Sequence, residues 1–120
     1  MLTTRGFASI KHRQRHFQAH GNDFKVGTSE EYEVLADVFL TKPICSSMHE
    51  HVRKGGDRIR YDSGSEEFGV VDASGIIRTY YKPIPCSSLP GHLRAAARRS
   101  GRCHGHANNL IYFKMECARW

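Results

Sequence analysis

Long apolar runs are missing from this chain, as are close cysteine pairs, internal repeats and long low-complexity tracts. No run approaches the roughly 20 apolar residues that cross a bilayer as a helix, so no spanning helix is expected. The opening stretch, MLTTRGFASIKHRQRH, holds no unbroken apolar segment after Arg5, and no secretory signal is expected. Cys45, Cys86, Cys103 and Cys117 form no Cys-x-x-Cys pair. Without a signal, they imply no disulfide framework. Cys103-His104-Gly105-His106 has the composition of a metal site, but no second pair stands at zinc spacing, which favours a histidine-bearing loop. Acidic residues are the minority charge, 12 Asp and Glu against 18 Lys and Arg, and the formal charge is +6.

What is present fits one domain. The chain has 120 residues, 39% apolar and 25% charged, ordinary values for a globular fold. Its positive residues cluster at Lys11, Arg13 and Arg15, at Arg53, Lys54, Arg58 and Arg60, and at Arg94, Arg98, Arg99 and Arg102. A distributed basic surface suits a polyanion, usually nucleic acid. The competing reading is a soluble surface that is merely basic.

Periodicity orders the elements. Lys11 to about Gly21 reads as a short helix, with Gly21 as its stop. Residues 28–41, TSEEYEVLADVFLT, are the clearest helix. Thr28 and Glu31 fit a capping box, and Tyr32, Leu35, Ala36 and Phe39 make one buried stripe. Lys42-Pro43 ends it. HEHVRK, DRIRYD, EEFGVVD and IIRTYYKP then read as four strands joined by tight turns, an antiparallel meander. Strict alternation sets Ile59 and Tyr61 against Arg58, Arg60 and Asp62, and Ile77, Thr79 and Tyr81 against Ile76, Arg78, Tyr80 and Lys82. Residues 84–108 are rich in Pro, Ser, Gly, Ala and Arg and read as a basic loop, mobile rather than helical. Residues 109–119 form a terminal helix with Leu110, Phe113 and Cys117 on one stripe. The fold class is therefore α+β, with N-terminal helices packed on a four-stranded antiparallel sheet and a C-terminal helix. One helical layer leaves the other sheet face open as a binding surface bearing Arg, Thr, Tyr and Lys.

RNA can be cut without a metal, because its 2′-hydroxyl attacks the adjacent phosphate. A base, an acid and phosphate-neutralising cations are then needed. In HFQAHGNDF, residues 16–24, His16 and His20 share a helix face. Arg58, Arg60, Arg78, Thr79, Tyr81 and Lys82 stand on adjacent strands. Three readings of the histidines remain open: acid–base chemistry, a packing or solvated role, and a metal stripe of His12, His16 and His20. No acidic residue stands where a His-Glu-x-x-His site would place its base.

The blocks HFQAHGNDF, EEYEVLADVFL, DRIRYDSGSEEFGVVDASGIIRTYYKP and NNLIYFKMECAR resemble bacterial toxin nuclease domains of contact-dependent inhibition and other polymorphic toxin systems. These belong to the barnase, EndoU, colicin and RelE-like group of RNases. The likeness spans roughly residues 10–83 and 108–119, and the combination RYD…EFGV…G-x-IRT-x-x-KP carries it. A more distant similarity is to the tRNA-cleaving domain of colicin D, whose catalytic histidine matches His20. The serine and tryptophan of that domain's last strand fall on Thr79 and Tyr81. The resemblance implies a metal-independent endoribonuclease, acting on tRNA and leaving a 2′,3′-cyclic phosphate, with no cofactor. It implies His20 as acid or base, with His16 as second candidate. Arg60 and Lys82 would neutralise phosphate, Thr79 would bond it, and Tyr81 would stack on a base or bond the phosphate. Arg58, Arg78, Lys54 and Lys11 are expected to touch RNA. Arg78 is alternatively structural, paired with Asp62 or Glu67. The implied partners are an RNA and a cognate, acidic immunity protein. The implied place of action is the cytoplasm of a target bacterium after delivery. The long, Arg-rich segment 84–108 departs from the family pattern, as an RNA-grasping arm, a disordered insert or an accident of this one protein. The competing functions are a non-catalytic RNA-binding module and a phage or mobile-element interaction domain.

Overall fold

The computed structural model describes residues 2–119. Its first helix, α1 (Ile10–His20), starts where Ser9 Oγ accepts a hydrogen bond from the His12 amide at 3.1 Å. It runs without a break into a 3-10 turn, Gly21–Phe24, and the chain leaves that turn through Lys25 in the left-handed region. The second helix, α2 (Ser29–Thr41), is capped by Thr28, whose hydroxyl accepts from the Glu31 amide, as the capping-box spacing predicts. Tyr32, Ala36 and Phe39 of the expected stripe are buried, with Leu40 beside them.

The four strands are β1 (Met48–Val52), β2 (Arg58–Asp62), β3 (Glu67–Val71) and β4 (Ile77–Tyr81), antiparallel in the order β1-β2-β3-β4. The meander read from the turns is therefore the observed topology. Residues before α1 then extend the sheet. The Arg5 amide bonds Gly75 O and the Ile77 amide bonds Gly6 O, both at 2.8 Å, so the N-terminal segment covers the start of β4's free edge. Asp37 on α2 holds that segment by accepting from the Thr3 and Thr4 amides and the Thr4 hydroxyl.

The sheet carries a core on each face. On one side, Phe7, Tyr32, Ala36, Phe39, Leu40, Met48, Val71, Ile77 and Tyr80 pack together under α1 and α2. On the other, Ile59, Tyr61, Phe68, Val70 and Phe113 form a second cluster, joined by Tyr81, Leu110, Tyr112 and Cys117. Phe113 and its helical neighbours lie on α4 (Asn109–Cys117), so the C-terminal helix covers the face expected to be open. The physical reason is the face itself. Ile59, Tyr61, Phe68 and Val70 cannot be left to water, since each such side chain gains about 1.5–3 kcal/mol on burial.

The strand alternation also differs from strict period two. Val71 pairs with Ile77 and Val70 with Thr79, which leaves Arg78 as an extra residue in a bulge. Ile77 and Tyr80 therefore share the α2 side, while Tyr81 joins the α4 side.

Segment 84–108 is ordered rather than mobile, and it contains a disulfide that the cysteine spacing did not imply. Cys86 is bonded to Cys103, and around this link the Cys86 amide bonds His104 O while the His104 amide bonds Ile84 O. The closed segment holds α3 (Gly91–Arg99), none of whose residues is buried. The pairing joins residues 17 apart, a separation no local motif announces. Closing a loop of this size is worth about 3 kcal/mol by chain entropy. Reduction, or the double change Cys86→Ser with Cys103→Ser, is expected to lower stability by about that amount, read as a lower urea midpoint.

Candidate active site

The stretch HFQAHGNDF wraps the end of β4. Within α1, His16 and His20 lie one turn apart with ring centroids at 6.0 Å. His16 stacks on Phe7 at 5.2 Å, and His20 stacks on Tyr81 at 5.0 Å with ring planes 23° apart. The 3-10 turn then carries the chain to the opposite side of the strand, where Phe24 stacks on Tyr80 at 4.3 Å. Successive strand residues face opposite ways, and one short segment holds both. Gly21 permits this tight path. A Cβ there would stand 2.6 Å from the Phe17 ring.

Burial sets the protonation states. His16 is half-buried and its pKa is lowered to about 4, first by burial and then by the charges of His20, His12 and Arg15. Its Nδ1 is buried without a hydrogen-bond partner. Burial also lowers the pKa of His20, against an opposing pull from Asp23. Both imidazoles are thus neutral at neutral pH, the form that accepts a proton. The Tyr81 and Tyr112 hydroxyls hydrogen-bond each other. Burial pushes both above the usual phenol range, so both keep their protons.

The remaining sequence candidates divide. Thr79 is half-buried on β4, two residues before Tyr81. Lys82 lies against the 3-10 turn, with Nζ 5.4 Å from the Phe24 centroid, on the Tyr80 side rather than the Tyr81 side. Arg60 is 6% exposed and faces α2. Its Nε donates to Glu50 Oε2 at 2.5 Å, and one terminal nitrogen donates to the Phe39 and Lys42 carbonyls at 3.1 and 2.6 Å. It therefore satisfies the C-terminal carbonyls of α2. Arg58 donates to Leu40 O at 3.2 Å, while its Nε, 3.8 Å from Glu50, makes no hydrogen bond. Neither arginine stands with the histidines. Arg78 is exposed in the bulge and forms no ion pair among the described residues, so the pairing with Asp62 or Glu67 is not seen. Lys11 and Lys54 are exposed, on α1 and in the β1–β2 turn. Among the described residues, no three His, Cys, Asp or Glu side chains group as a metal site.

Sequence reading missed Tyr112, and placed His104 only in a histidine-bearing loop. Tyr112 sits under Tyr81, and His104 stacks on Tyr112 at 4.4 Å. His104 Nε2 lies 2.7 Å from Asn109 Oδ1, and the Asn109 amide nitrogen donates to Pro83 O and Glu66. Tyr112 falls between the Leu110 and Phe113 positions of the apolar stripe, and that adjacency was its signal.

No known protein family matches the chain, and no curated protein matches it.

Two outcomes follow from this geometry. Because His16 holds its proton less tightly in the folded state, its contribution to stability is complete above about pH 6.5 and is lost as pH falls towards 4. Urea midpoints across that window are expected to fall with acid, and the fall should shrink in His16→Gln. Gly21→Ala forces the Phe17 ring aside and is expected to destabilise by about 1–3 kcal/mol in the same assay.

Proposed function

We propose that the chain is a metal-independent endoribonuclease domain whose site is the His16–His20–Tyr81 cluster. One observation carries the reading. Two neutral, sheltered imidazoles lie one helical turn apart, His20 against the Tyr81–Tyr112 hydroxyl pair and His16 against Phe7, on a basic protein. Neutral His16, which holds a proton least, takes the proton of a ribose 2′-hydroxyl as the 2′-oxygen attacks phosphorus. The P–O5′ bond breaks, and the leaving oxygen takes a proton from protonated His20. Asp23 and a bound phosphate's negative charge favour that protonated form. The products are a 2′,3′-cyclic phosphate and a 5′-hydroxyl. Tyr81 and Thr79 supply hydroxyls for the phosphate oxygens, while Lys82, held over Phe24 on the Tyr80 side, meets the RNA beyond the cut bond rather than at it. The resemblance of the motif blocks to toxin nuclease domains supports the same reading. With it come tRNA as substrate, delivery into a target bacterium, and a cognate acidic immunity protein.

A second reading has its own observation. Arg58 and Arg60 are engaged by α2 carbonyls and Glu50, which leaves fewer cations beside the histidines to neutralise a phosphorane. That favours an RNA-binding module without catalysis.

Total tRNA incubated with the protein in EDTA separates the two. Discrete fragments are expected, with cleavage falling at least about 100-fold in His20→Ala. Binding without fragments would establish the module instead. Activity lost in EDTA and restored by a divalent metal would return the histidine stripe to metal chemistry.

A further inference from the structure

The charge of this protein is not spread over it. Residues 1–72 hold ten Lys and Arg against eleven Asp and Glu, close to neutral. Residues 73–115 hold seven Lys and Arg and no acidic residue. The whole excess therefore belongs to β4, the disulfide-closed segment and α4. Within it, Arg94 is engaged locally, donating to Leu89 O at 2.8 Å. Arg98, Arg99 and Arg102 are exposed and have no acidic partner among the described residues. The Arg98 guanidinium lies against Gly105, between His104 and His106, and none of the three is committed to an ion pair among the described residues.

Rings connect this patch to the histidine site. His20 stacks on Tyr81, Tyr81 bonds Tyr112, Tyr112 stacks on His104, and His106 lies 5.6 Å from His104. His104 adjoins Cys103, so the disulfide that closes the segment also fixes the far end of the ring line. Aromatic and imidazole rings beside a row of cations are what binds single-stranded nucleic acid, where bases stack and phosphates meet charge.

We infer that the Cys86–Cys103 segment is a second RNA-contacting surface, which holds single-stranded RNA flanking the histidine site through Arg98, Arg99 and Arg102. The inference rests on RNA being the ligand, not on its being cut. It assigns the salt-dependent part of binding to this segment rather than to Lys54 at the far hairpin. An acidic protein would satisfy the same charges but would make little use of the rings.

The probe is a 2′-O-methyl RNA oligonucleotide of about 12 residues, which has no free 2′-hydroxyl and cannot be cleaved by this route. Its affinity is measured against salt concentration for the full chain, for Arg98→Gln/Arg99→Gln/Arg102→Gln and for Lys54→Gln. Because α3 is unburied, the triple variant is expected to keep its fold, checked by circular dichroism. The slope of log affinity against log salt is expected to fall by about two, with binding roughly tenfold weaker at low salt. Lys54→Gln should leave at least two-thirds of any such change unmade. An unchanged slope in the triple variant overturns the inference, as does an equal loss in Lys54→Gln. Polyglutamate of matched charge, bound as tightly and with the same dependence on the three arginines, overturns RNA in favour of an acidic protein. A protein that binds this probe but cuts no tRNA refutes the nuclease and leaves the surface standing.

Discussion

The outer strand of the sheet is held by two rings that stand four residues apart, at the end of α1 and the end of the 3-10 turn. An edge strand leaves half its backbone groups unpaired and is the least secure part of a sheet. Here residues 5–7 pair with its beginning, and His20 and Phe24 stack on opposite faces of its end. Everything the site needs follows from that grip. It sets the register between α1 and the strand, places His20 over Tyr81, and shelters His16 enough to keep it neutral. The two cores meet at this strand, since Tyr80 belongs to one and Tyr81 to the other.

The sheet order, both long helices and the final helix were legible because each depends on local periodicity and capping. Thr28, the stripe on α2 and the turns at Gly55-Gly56 and Gly75 speak for themselves. The pair His16 and His20 was legible as a shared helix face. What could not be read depends on contacts far apart in the chain. Arg60 looks like a phosphate ligand on a strand, but α2 ends over it, and the unpaired carbonyls there take its donors. Nothing in Arg-Tyr-Asp announces that helix end. The covered second face was misjudged for a related reason. Arg58 and Arg60 have the look of a wet side, whereas Ile59, Tyr61 and Phe68 on the other side demand a helix of their own. The disulfide needed the two ends of segment 84–108 to be brought together, which only the folded sheet and α4 achieve.

The division of charge gives the molecule two electrostatic characters. The near-neutral first 72 residues build most of the scaffold and pair much of their charge internally, as Arg13 does with Glu30 and Glu33. The acid-free stretch after Asp72 leaves Arg98, Arg99 and Arg102 exposed without an acidic partner among the described residues. The half-buried Arg13–Glu33 pair feels salt less than exposed charges do. The fold should thus be nearly indifferent to ionic strength, while encounters with a polyanion should not be.

The bulge at Arg78 has a different kind of consequence. A residue inside a regular strand must suit one face or the other. Arg78 is spare: it has no partner opposite and enters neither core. Its neighbours keep their faces whether it is long or short, charged or neutral. Position 78 is thus a free variable within an otherwise fully specified strand, a point where surface chemistry beside the site can drift without asking the fold's permission.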